Sequence, residues 1–441
     1  MKIVFNDNGK ILSNKGMGWV THVYCGEEKD YNEVDAREYI DNVALLYTWA
    51  QIEKEEGVFD FSAVDAKVDY HTSRGQYIHF RISTDPMIYN GAFGVPNYVF
   101  DKYGVKFFER DDYGCVARFP DYLDENYLFC LKRFLNAFKE HYRDNPYVLQ
   151  VDLRGYGEWG EWHSGYLHET LEEHNRALRN IIEIWSDCFS DTDIPLALSS
   201  SYEWRSDLPL RLHAPKSYEE YRHFQGFDDV EKYDNVTFRR DGVGGAVRIY
   251  DKQIIDECYF SDKRHGITAE YFGGYLKFSE LPEGNRGYHV EDAVEEGLCL
   301  HPNYMMLMWD SNQFYEARPD LIRDVALRIG FRLIPEETDI VRDGDRLCIT
   351  QFWKNLGVGK YPFRSKIDWK VVIDGVEKIF VDRGFDAHIL HKDETTIHSF
   401  VIPDIKDDNY ELYFRLSSDK GDLVNLPVDC HVTADGFYRL V

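Results

Sequence analysis

Short apolar runs alternate with amphipathic helical patterns over the first three quarters of this chain. Each run holds roughly four to eight mostly apolar residues bounded by turn signals, which is typical of a buried strand. The predicted strands are Gly18–Tyr24, Val43–Thr48, Tyr77–Ile82, Val148–Leu153, Ile194–Ser199, Asn235–Arg240, Gly266–Tyr271 and Tyr304–Trp309.

A helical pattern follows each predicted strand. Thr170 and Glu173, for example, form the capping-box pattern that opens a helix. The predicted helices are Glu33–Ile40, Ser62–Arg74, Glu125–Tyr142, Thr170–Phe189, Tyr218–Phe224, Asp251–Arg264, His289–Leu298 and Pro319–Ile329. Eight strand–helix pairs predict an α/β fold, a (β/α)8 TIM barrel over residues 1–333. The insertion Asp85–Tyr122, rich in Gly, Pro, Tyr and Phe, is expected on its catalytic face.

The pattern changes after Ile334-Pro335, where short alternating runs replace helical ones. Asp-Gly and similar turn signals separate these runs. The predicted strands are Arg346–Trp353, Ile367–Ile373, Thr396–Ile402, Tyr410–Leu416 and His431–Val432. Residues 334–441 are therefore predicted to form a small all-β sandwich domain.

Composition limits the kinds of molecule that the protein can bind and suggests the cellular compartment in which it works. A formal net charge of −27 disfavours nucleic acid and anionic membranes, so we expect a neutral or locally attracted substrate. We see no signal peptide, no transmembrane stretch and no CxxC pair among the eight cysteines. A cytoplasmic protein is therefore expected, unless a leader has been removed. No cofactor is expected, and a homo-oligomer is left open.

The segment Val148–His163 carries the most informative chemistry. The apolar run Val148–Leu153 leads into a glycine-punctuated stretch with Glu158 and Glu161, two tryptophans and a histidine. Carboxylates set among aromatic rings lose hydration, which raises their pKa toward values useful for acid/base work. A Trp-rich loop that packs on the core, with both carboxylates in ion pairs, is the alternative interpretation.

Other polar and aromatic residues follow the remaining predicted strands. Because a barrel builds its site at the carboxyl ends of its strands, we expect them to line one cleft. The candidate catalytic residues are Glu158, Glu161 and Glu270. The candidate substrate-binding residues are Trp49, Arg81, Arg154, Trp159, Trp162, His163, Asp241, Tyr271, Trp309 and Asp310. No metal is predicted, because neither His-x-His nor His-Glu-x-x-His spacing occurs.

These motifs resemble those of clan A glycoside hydrolases, which are TIM-barrel glycosidases. The segment Trp49–Phe61 is similar to the Trp-x-x-(Ile/Leu)-Glu-Pro-x-x-Gly-x-(Tyr/Phe)-Asp-(Phe/Trp) signature of β-galactosidase and xylanase families, with Lys54 in place of Pro. The Gly-Glu-Trp-Gly-Glu-Trp-His run resembles a largely uncharacterised bacterial group with a barrel and a β-sandwich. The family's Asn before the fourth-strand Glu is absent, since Gly157 and Gly160 stand there.

The resemblance implies a retaining glycosidase acting on a plant or microbial oligosaccharide. Glu270 would be the nucleophile, held ionised by Arg81 or Arg154, and Glu158 the acid/base. Glu161 could exchange roles with Glu158 or contact sugar hydroxyls. Two alternatives stay open: Glu270 could be a rim ion-pair partner of Arg239, and the whole chain could be a non-catalytic carbohydrate-binding barrel. The sugar, the linkage and the choice between retention and inversion stay open too.

Overall fold

A computed structural model of the chain describes residues 1–24, 38–84, 94–112, 115–157, 160–162, 167–168, 170–199, 217–224, 226–244, 250–264, 266–271, 290–307, 311–407 and 409–441. They form two compact units. The larger contains Trp19–Leu300 and Met305–Ala317, and the smaller contains Met1–Gly18, His301–Tyr304 and Arg318–Val441.

The strands and helices run in the following order. The strands are β1 (Lys2–Val4), β2 (Gly18–Tyr24), β3 (Asn42–Thr48), β4 (Tyr77–Ser83), β5 (Phe107–Asp112), β6 (Cys115–Pro120), β7 (Val148–Leu153), β8 (Leu196–Ser199), β9 (Val236–Val243), β10 (Thr268–Tyr271), β11 (Tyr304–Leu307), β12 (Leu333–Asp343), β13 (Arg346–Asn355), β14 (Ser365–Ile373), β15 (Val376–Asp382), β16 (Thr395–Ile402), β17 (Glu411–Ser418) and β18 (Tyr438–Arg439). The helices are α1 (Trp49–Ile52), α2 (Ser62–Thr72), α3 (Asn97–Asp101), α4 (Glu125–Tyr142), α5 (Leu171–Phe189), α6 (Tyr218–Phe224), α7 (Phe227–Val230), α8 (Asp251–Phe260), α9 (Val290–Leu298), α10 (Ser311–Ala317) and α11 (Pro319–Arg328).

Eight parallel strands close into a barrel, which confirms the predicted fold class. Around the barrel they follow chain order: β2, β3, β4, β7, β8, β9, β10 and β11. Their side chains are buried on both faces, as expected when helices cover the outside. The run Val148–Leu153 is the strand β7, as its apolar pattern predicts.

The connections of the barrel differ from the prediction in several places. The predicted helix Glu33–Ile40 falls mostly on residues 25–37, outside the described part. Its last residues are not helical, because residues 38–39 form a turn in which Tyr39 has a φ of 77°. The insertion at 85–122 contains α3 and the antiparallel pair β5–β6, which no periodicity indicated.

The C-terminal strands form two antiparallel sheets that share one core, which confirms the predicted β-sandwich. One sheet has the order β1-β12-β13-β16, and the other has the order β15-β14-β17-β18. Aromatic rings join them: the ring centroids of Trp353 and Phe414 lie 6.1 Å apart, and those of Trp369 and Phe400 lie 6.2 Å apart. Burial of such large rings supplies much of the free energy of folding of a small sandwich.

The strands that begin and end the sandwich were not all predicted. Pro335 does not separate the two domains, because it lies inside the strand β12. The register of β12 shifts between Pro335 and Glu337. The strand β1, from the start of the chain, pairs with β12. Instead of a strand at His431–Val432, Val432 makes an isolated bridge to Tyr438 of β18. The domain boundary at residues 333 and 334 stays a prediction.

No helix among the described residues is long and apolar enough to cross a membrane. The six cysteines whose side chains the structure describes are free thiols: Cys130, Cys188, Cys258, Cys299, Cys348 and Cys430.

Candidate functional site

Polar side chains project into the barrel from alternate positions of several strands. In β7 the apolar run is interrupted at Gln150 and Asp152, two residues apart and therefore on one face. Gln150 donates to the hydroxyl of Thr268 on β10, at 3.2 Å. Beyond Gln150 and Thr268, toward the carboxyl ends of the strands, charged side chains fill the barrel interior. A TIM barrel normally packs Val, Ile and Leu there.

Arg81 of β4 connects three carboxylates, each through a different nitrogen. Its Nε donates to Asp152 Oδ2 at 3.0 Å, its Nη1 to Glu270 Oε1 at 2.8 Å and its Nη2 to Glu161 Oε1 at 2.8 Å. All four side chains except that of Glu161 are almost fully buried. A guanidinium has five N–H donors in a fixed plane, so it holds several carboxylates in one geometry.

Arg239 of β9 repeats this arrangement from the other side. Its Nη1 pairs with Glu270 Oε2, its Nη2 donates to Glu161 Oε1 at 3.1 Å, and its Nε lies 3.5 Å from Asp152 Oδ2. Arg154, one residue past β7, adds a third cation. Its Nη2 donates to Glu161 Oε1 at 2.9 Å, and its Nε lies 3.5 Å from Asp152 Oδ2. These three arginines and three carboxylates are called the barrel charge network below.

Burial and charge work against each other in this network. Burial alone would raise the pKa of Asp152, but the attraction of the three arginines outweighs burial and lowers it. Burial and the neighbouring Arg81 lower the pKa of Arg154 to about 10, which still leaves it charged at neutral pH. Next to Arg81 Nη1, at 3.1 Å, lies His22 Nε2. Burial and the arginines hold the pKa of His22 far below its usual range, so His22 is neutral.

The segment after β7 has an unusual backbone that aims Glu161 into the network. Gly155, Gly157 and Gly160 have φ values of 124°, 79° and 67°, and Trp162 has a φ of 68°. A bulky residue in this left-handed region is strained, so its surroundings must hold it there. The buried Trp162 indole donates to Leu153 O at 2.9 Å, and its backbone N–H donates to Tyr156 O at 3.0 Å.

Buried tyrosines and histidines support this segment from behind. The Tyr156 hydroxyl lies 2.7 Å from His174 Nδ1 and 3.0 Å from His168 Nδ1. His174 Nε2 donates to Phe224 O at 2.8 Å, so its Nδ1 accepts from Tyr156. Burial lowers the pKa of His174 to about 3, which is consistent with a neutral ring. The segment is thus fixed at Tyr156 as well as at Trp162.

The signature segment after β3 forms a second cluster of charged groups, with Glu53 at its centre. Trp49 is fully buried and stacks on Phe134, and its indole donates to Glu53 Oε2 at 2.7 Å. Glu53 Oε1 accepts from Gly57 N and from Arg133 Nη2, both at 2.7 Å. Trp49 therefore packs in the wall of the barrel unit, and its ring has no exposed face on which a sugar could stack.

The remaining predicted residues fall into three groups. Tyr271 is buried and packs on Trp19, with ring centroids 6.3 Å apart, so it too is a packing residue. Asp241 is partly exposed and lies two residues beyond Arg239 on β9. The third group, which lies outside the described residues, consists of Glu158, Trp159, His163, Trp309 and Asp310.

Three residues of the site were absent from the predicted set: Asp152, Arg239 and His22. A signal for Asp152 was present in the sequence, since it interrupts an apolar strand with the period of two that marks one face. The sequence suggests Arg239 only as an ion-pair partner of Glu270, a contact that the structure contains. His22 gave no signal, because a lone histidine in an apolar strand is usually a packing residue.

Within the described part of the chain, no three His, Cys, Asp or Glu side chains are grouped so that they could hold a metal ion. The acidic groups of the barrel charge network are instead neutralised by arginine.

Comparisons with known proteins add little to this geometry. No protein-family model matches the chain, and no curated protein matches its sequence. Among solved structures, the chain is similar to endo-glycoceramidase II from Rhodococcus sp., with 13% identity, a TM-score of 0.44, and coverage of 91% of this chain and 99% of that one. It is also similar to the catalytic domain of β-amylase from Paenibacillus polymyxa, with 10% identity, a TM-score of 0.42, and coverage of 66% and 92%. Likenesses this distant carry no argument about activity.

Proposed function

We propose that the protein is a glycoside hydrolase of the retaining type, with Glu270 as its nucleophile. The observation that carries the proposal is the position of Glu270 near the carboxyl end of a barrel strand, with Arg81 and Arg239 on its two oxygens. Barrel enzymes place their reacting groups at this end. The β7 segment, which contributes a second carboxylate to the same network, supports the proposal.

The arginines suit the work of a nucleophile. A carboxylate attacks an anomeric carbon only when it is ionised, and two guanidiniums in contact with Glu270 favour that form. Each carboxylate oxygen has two lone pairs, so an oxygen that accepts one N–H still has a lone pair for the attack. The attack forms a glycosyl ester and releases the leaving oxygen, which needs a proton from a second group.

Glu161 is a poor source of that proton. Its Oε1 accepts from Arg81, Arg154 and Arg239, and three cations on one oxygen favour the ionised form. An acid must instead be protonated before the bond breaks. We therefore assign the acid/base role to Glu158, which lies in the same segment but outside the described residues. It would protonate the leaving oxygen and then deprotonate the attacking water.

One observation favours the alternative of a non-catalytic carbohydrate-binding barrel. Glu270 is only 1% exposed and both its oxygens are in ion pairs, as in a carboxylate whose task is to balance charge. In that case the barrel would bind glycans without cleaving them. The two functions differ in a single measurable respect, which is turnover.

The test is a panel of nitrophenyl glycosides, assayed with the wild type, Glu270→Gln and Glu172→Gln. Glu172 is exposed on α5, so its variant is the control for a charge change outside the network. Glu270→Gln should lose on the order of 10³-fold or more in kcat while it keeps its circular dichroism spectrum. Proton NMR of the first product should show retained anomeric configuration. If the wild type binds sugars but cleaves none, the binding protein is the correct alternative.

The acid/base assignment has its own test. Glu158→Gln should slow glycosides with poor leaving groups far more than activated aryl glycosides, because the latter need little protonation. Added azide should then rescue this variant by attacking the glycosyl ester without help from a base. If Glu161→Gln shows this behaviour and Glu158→Gln does not, the two residues exchange roles.

A further inference from the structure

Three guanidinium groups converge on a single carboxylate oxygen in the barrel. The Nη2 atoms of Arg81, Arg154 and Arg239 lie 2.8, 2.9 and 3.1 Å from Glu161 Oε1. Each arginine comes from a different place, β4, the residue after β7, and β9, so a rigid framework holds the three donors. Hydrogen bonds between a guanidinium and a carboxylate are charge-assisted and therefore stronger than bonds between neutral groups. We call these three nitrogens the arginine cradle.

The charge balance shows that Glu161 differs from the other acids of the network. The three arginines and three carboxylates of the network balance in formal charge, and without the Glu161 carboxylate the sum over the remaining five groups would be +1. That charge corresponds to one monovalent anion. The exposure values agree: Glu161 is 13% exposed, whereas the other five charged side chains are at most 2% exposed. The cradle is thus closest to solvent at Glu161.

The backbone around Glu161 also differs from that of the other network residues. Asp152 lies in β7, which pairs regularly with β8, and Glu270 lies in β10 where the register shifts between Ala269 and Tyr271. Glu161 lies outside any strand, between Gly160 and Trp162, both in the left-handed region. That conformation strains a bulky L-residue such as Trp162. Strain of this kind lowers the cost of moving the segment and withdrawing its carboxylate from the arginine cradle.

We propose that the arginine cradle recognises the carboxylate of an acidic sugar, a uronic acid unit of the substrate, and that Glu161 occupies this place until the ligand displaces it. The exchange replaces one carboxylate by another, so it leaves no buried arginine unpaired. It also explains how a chain with a net charge of −27 can bind an anion, because the attraction is local. This inference rests on the proposed function and names its substrate class.

The test measures binding, not turnover. D-glucuronate, D-glucose and sodium sulfate are titrated by calorimetry into the full chain as wild type and as Glu161→Gln. The variant keeps the shape of the side chain but removes the competing charge. Its Kd for glucuronate should fall about tenfold or more below that of the wild type, whereas the Kd for glucose should not change. Glucuronate should also raise the melting temperature of the variant more than that of the wild type.

Two controls connect the effect to the cradle. Glu53→Gln removes a buried, arginine-paired carboxylate elsewhere in the barrel unit and should leave glucuronate binding at the wild-type level. Arg154→Met in the Glu161→Gln background removes one arm of the cradle and should abolish the tenfold gain. If Glu161→Gln does not fold, Glu161→Asp takes its place, because its carboxylate falls one methylene short of the arginines.

The contrary outcomes are distinct. No gain in glucuronate binding by either Glu161 variant would overturn the proposal, and so would an equal gain for sulfate, which would indicate a general anion site. The proposed hydrolase activity can fail separately, through full turnover by Glu270→Gln, because that measurement needs no glucuronate. Tight glucuronate binding without any turnover would support the cradle and reject the hydrolase.

Discussion

Two of the buried carboxylate–arginine clusters in the barrel unit, the one at Glu53 and the barrel charge network, differ in how their carboxylates are held. At Glu53 the donors are an indole N–H, a backbone N–H and one nitrogen of Arg133, so two of the three are neutral groups fixed nearby. In the barrel charge network, Arg81 and Arg239 each face three carboxylates. Similar residue types thus hold neighbouring segments together at Glu53 and concentrate charge in the barrel charge network.

The difference between the two clusters shows that buried charge can have either a structural or a functional origin. The Glu53 cluster ties the turn at Gly57 and helix α4 to Trp49, a purely structural task. The network stabilises the fold inefficiently, because taking six charged groups out of water costs several kcal/mol per ion before their attraction offsets it. A barrel core of apolar residues would pack as well. Charge retained at the carboxyl ends of the strands therefore supports the site that we propose there.

The largest expected effect comes from removing Asp152, the fully buried one of the two carboxylates that all three arginines share. Asp152→Asn leaves the network with one uncompensated positive charge, which should cost about 3–5 kcal/mol of unfolding free energy. The folded-state pKa of Asp152 is lowered, so its stabilisation is complete above its unfolded value near pH 4 and is lost as the pH falls through the folded value. Urea unfolding should show the deficit of the variant at pH 6 and a smaller one at pH 3. An equal deficit at both pH values would contradict the assignment.

The next largest effect is expected at Glu53, in the cluster to which we assign a structural role. Glu53→Gln cannot accept from Trp49, Gly57 and Arg133 together, because the amide replaces one acceptor oxygen by a donor. We expect a loss of about 3 kcal/mol in unfolding free energy and little change in kcat for any glycoside that the wild type cleaves. If Glu53→Gln lowers kcat as much as Glu270→Gln does, the distinction between the two clusters is wrong.

A smaller effect should come from a histidine near the network. Burial is the main cause that lowers the pKa of His79 to about 4, although the nearby Asp152 acts in the opposite direction. The unfolded chain binds this proton near pH 6.5, so His79 lowers stability progressively as the pH falls from about 6.5 to 4. His79→Gln should therefore reduce the slope of unfolding free energy against pH in this window by up to about 1.4 kcal/mol per pH unit. An unchanged slope would place the protonation at another group.

Hydrophobic periodicity was sufficient to predict the barrel, because its strands depend on local pattern. Val148–Leu153 is such a case, where the predicted and observed bounds agree. The strand β1 could not be predicted, since three residues provide no period and its partner β12 lies more than three hundred residues along the chain. Pairing between distant segments leaves no local signal.

The position of a residue after a strand predicted its level in the barrel but not the direction of its side chain. Trp49 follows β3 directly, yet the capping box of Thr48 and Gln51 starts a helical turn there, and the indole turns into the wall. Arg81 and Glu270 keep the alternation of their strands and point inward. Strand position suggested Arg81 and Arg239 as neighbours of Glu270, and both contacts are present. The convergence of three arginines on Glu161 left no signal in the sequence, because it depends on how distant strands are placed around the barrel.

The smallest expected effect concerns Trp162, which fixes the segment after β7. Its environment differs from that of Trp49 in the Glu53 cluster. Trp162 holds its left-handed backbone through one indole hydrogen bond to Leu153 O, whereas Trp49 donates to a carboxylate in a helical turn. Trp162→Phe keeps most of the buried ring but leaves the carbonyl without that donor, which should cost about 1–2 kcal/mol. Urea unfolding measures this loss, and Trp185→Phe is the control for replacing a buried indole elsewhere in the unit.

Because Glu161 precedes Trp162, glucuronate should also bind the Trp162 variant somewhat more tightly than it binds the wild type. A stability loss without this change in binding would mean that Trp162 stabilises the segment but does not hold Glu161 in the arginine cradle.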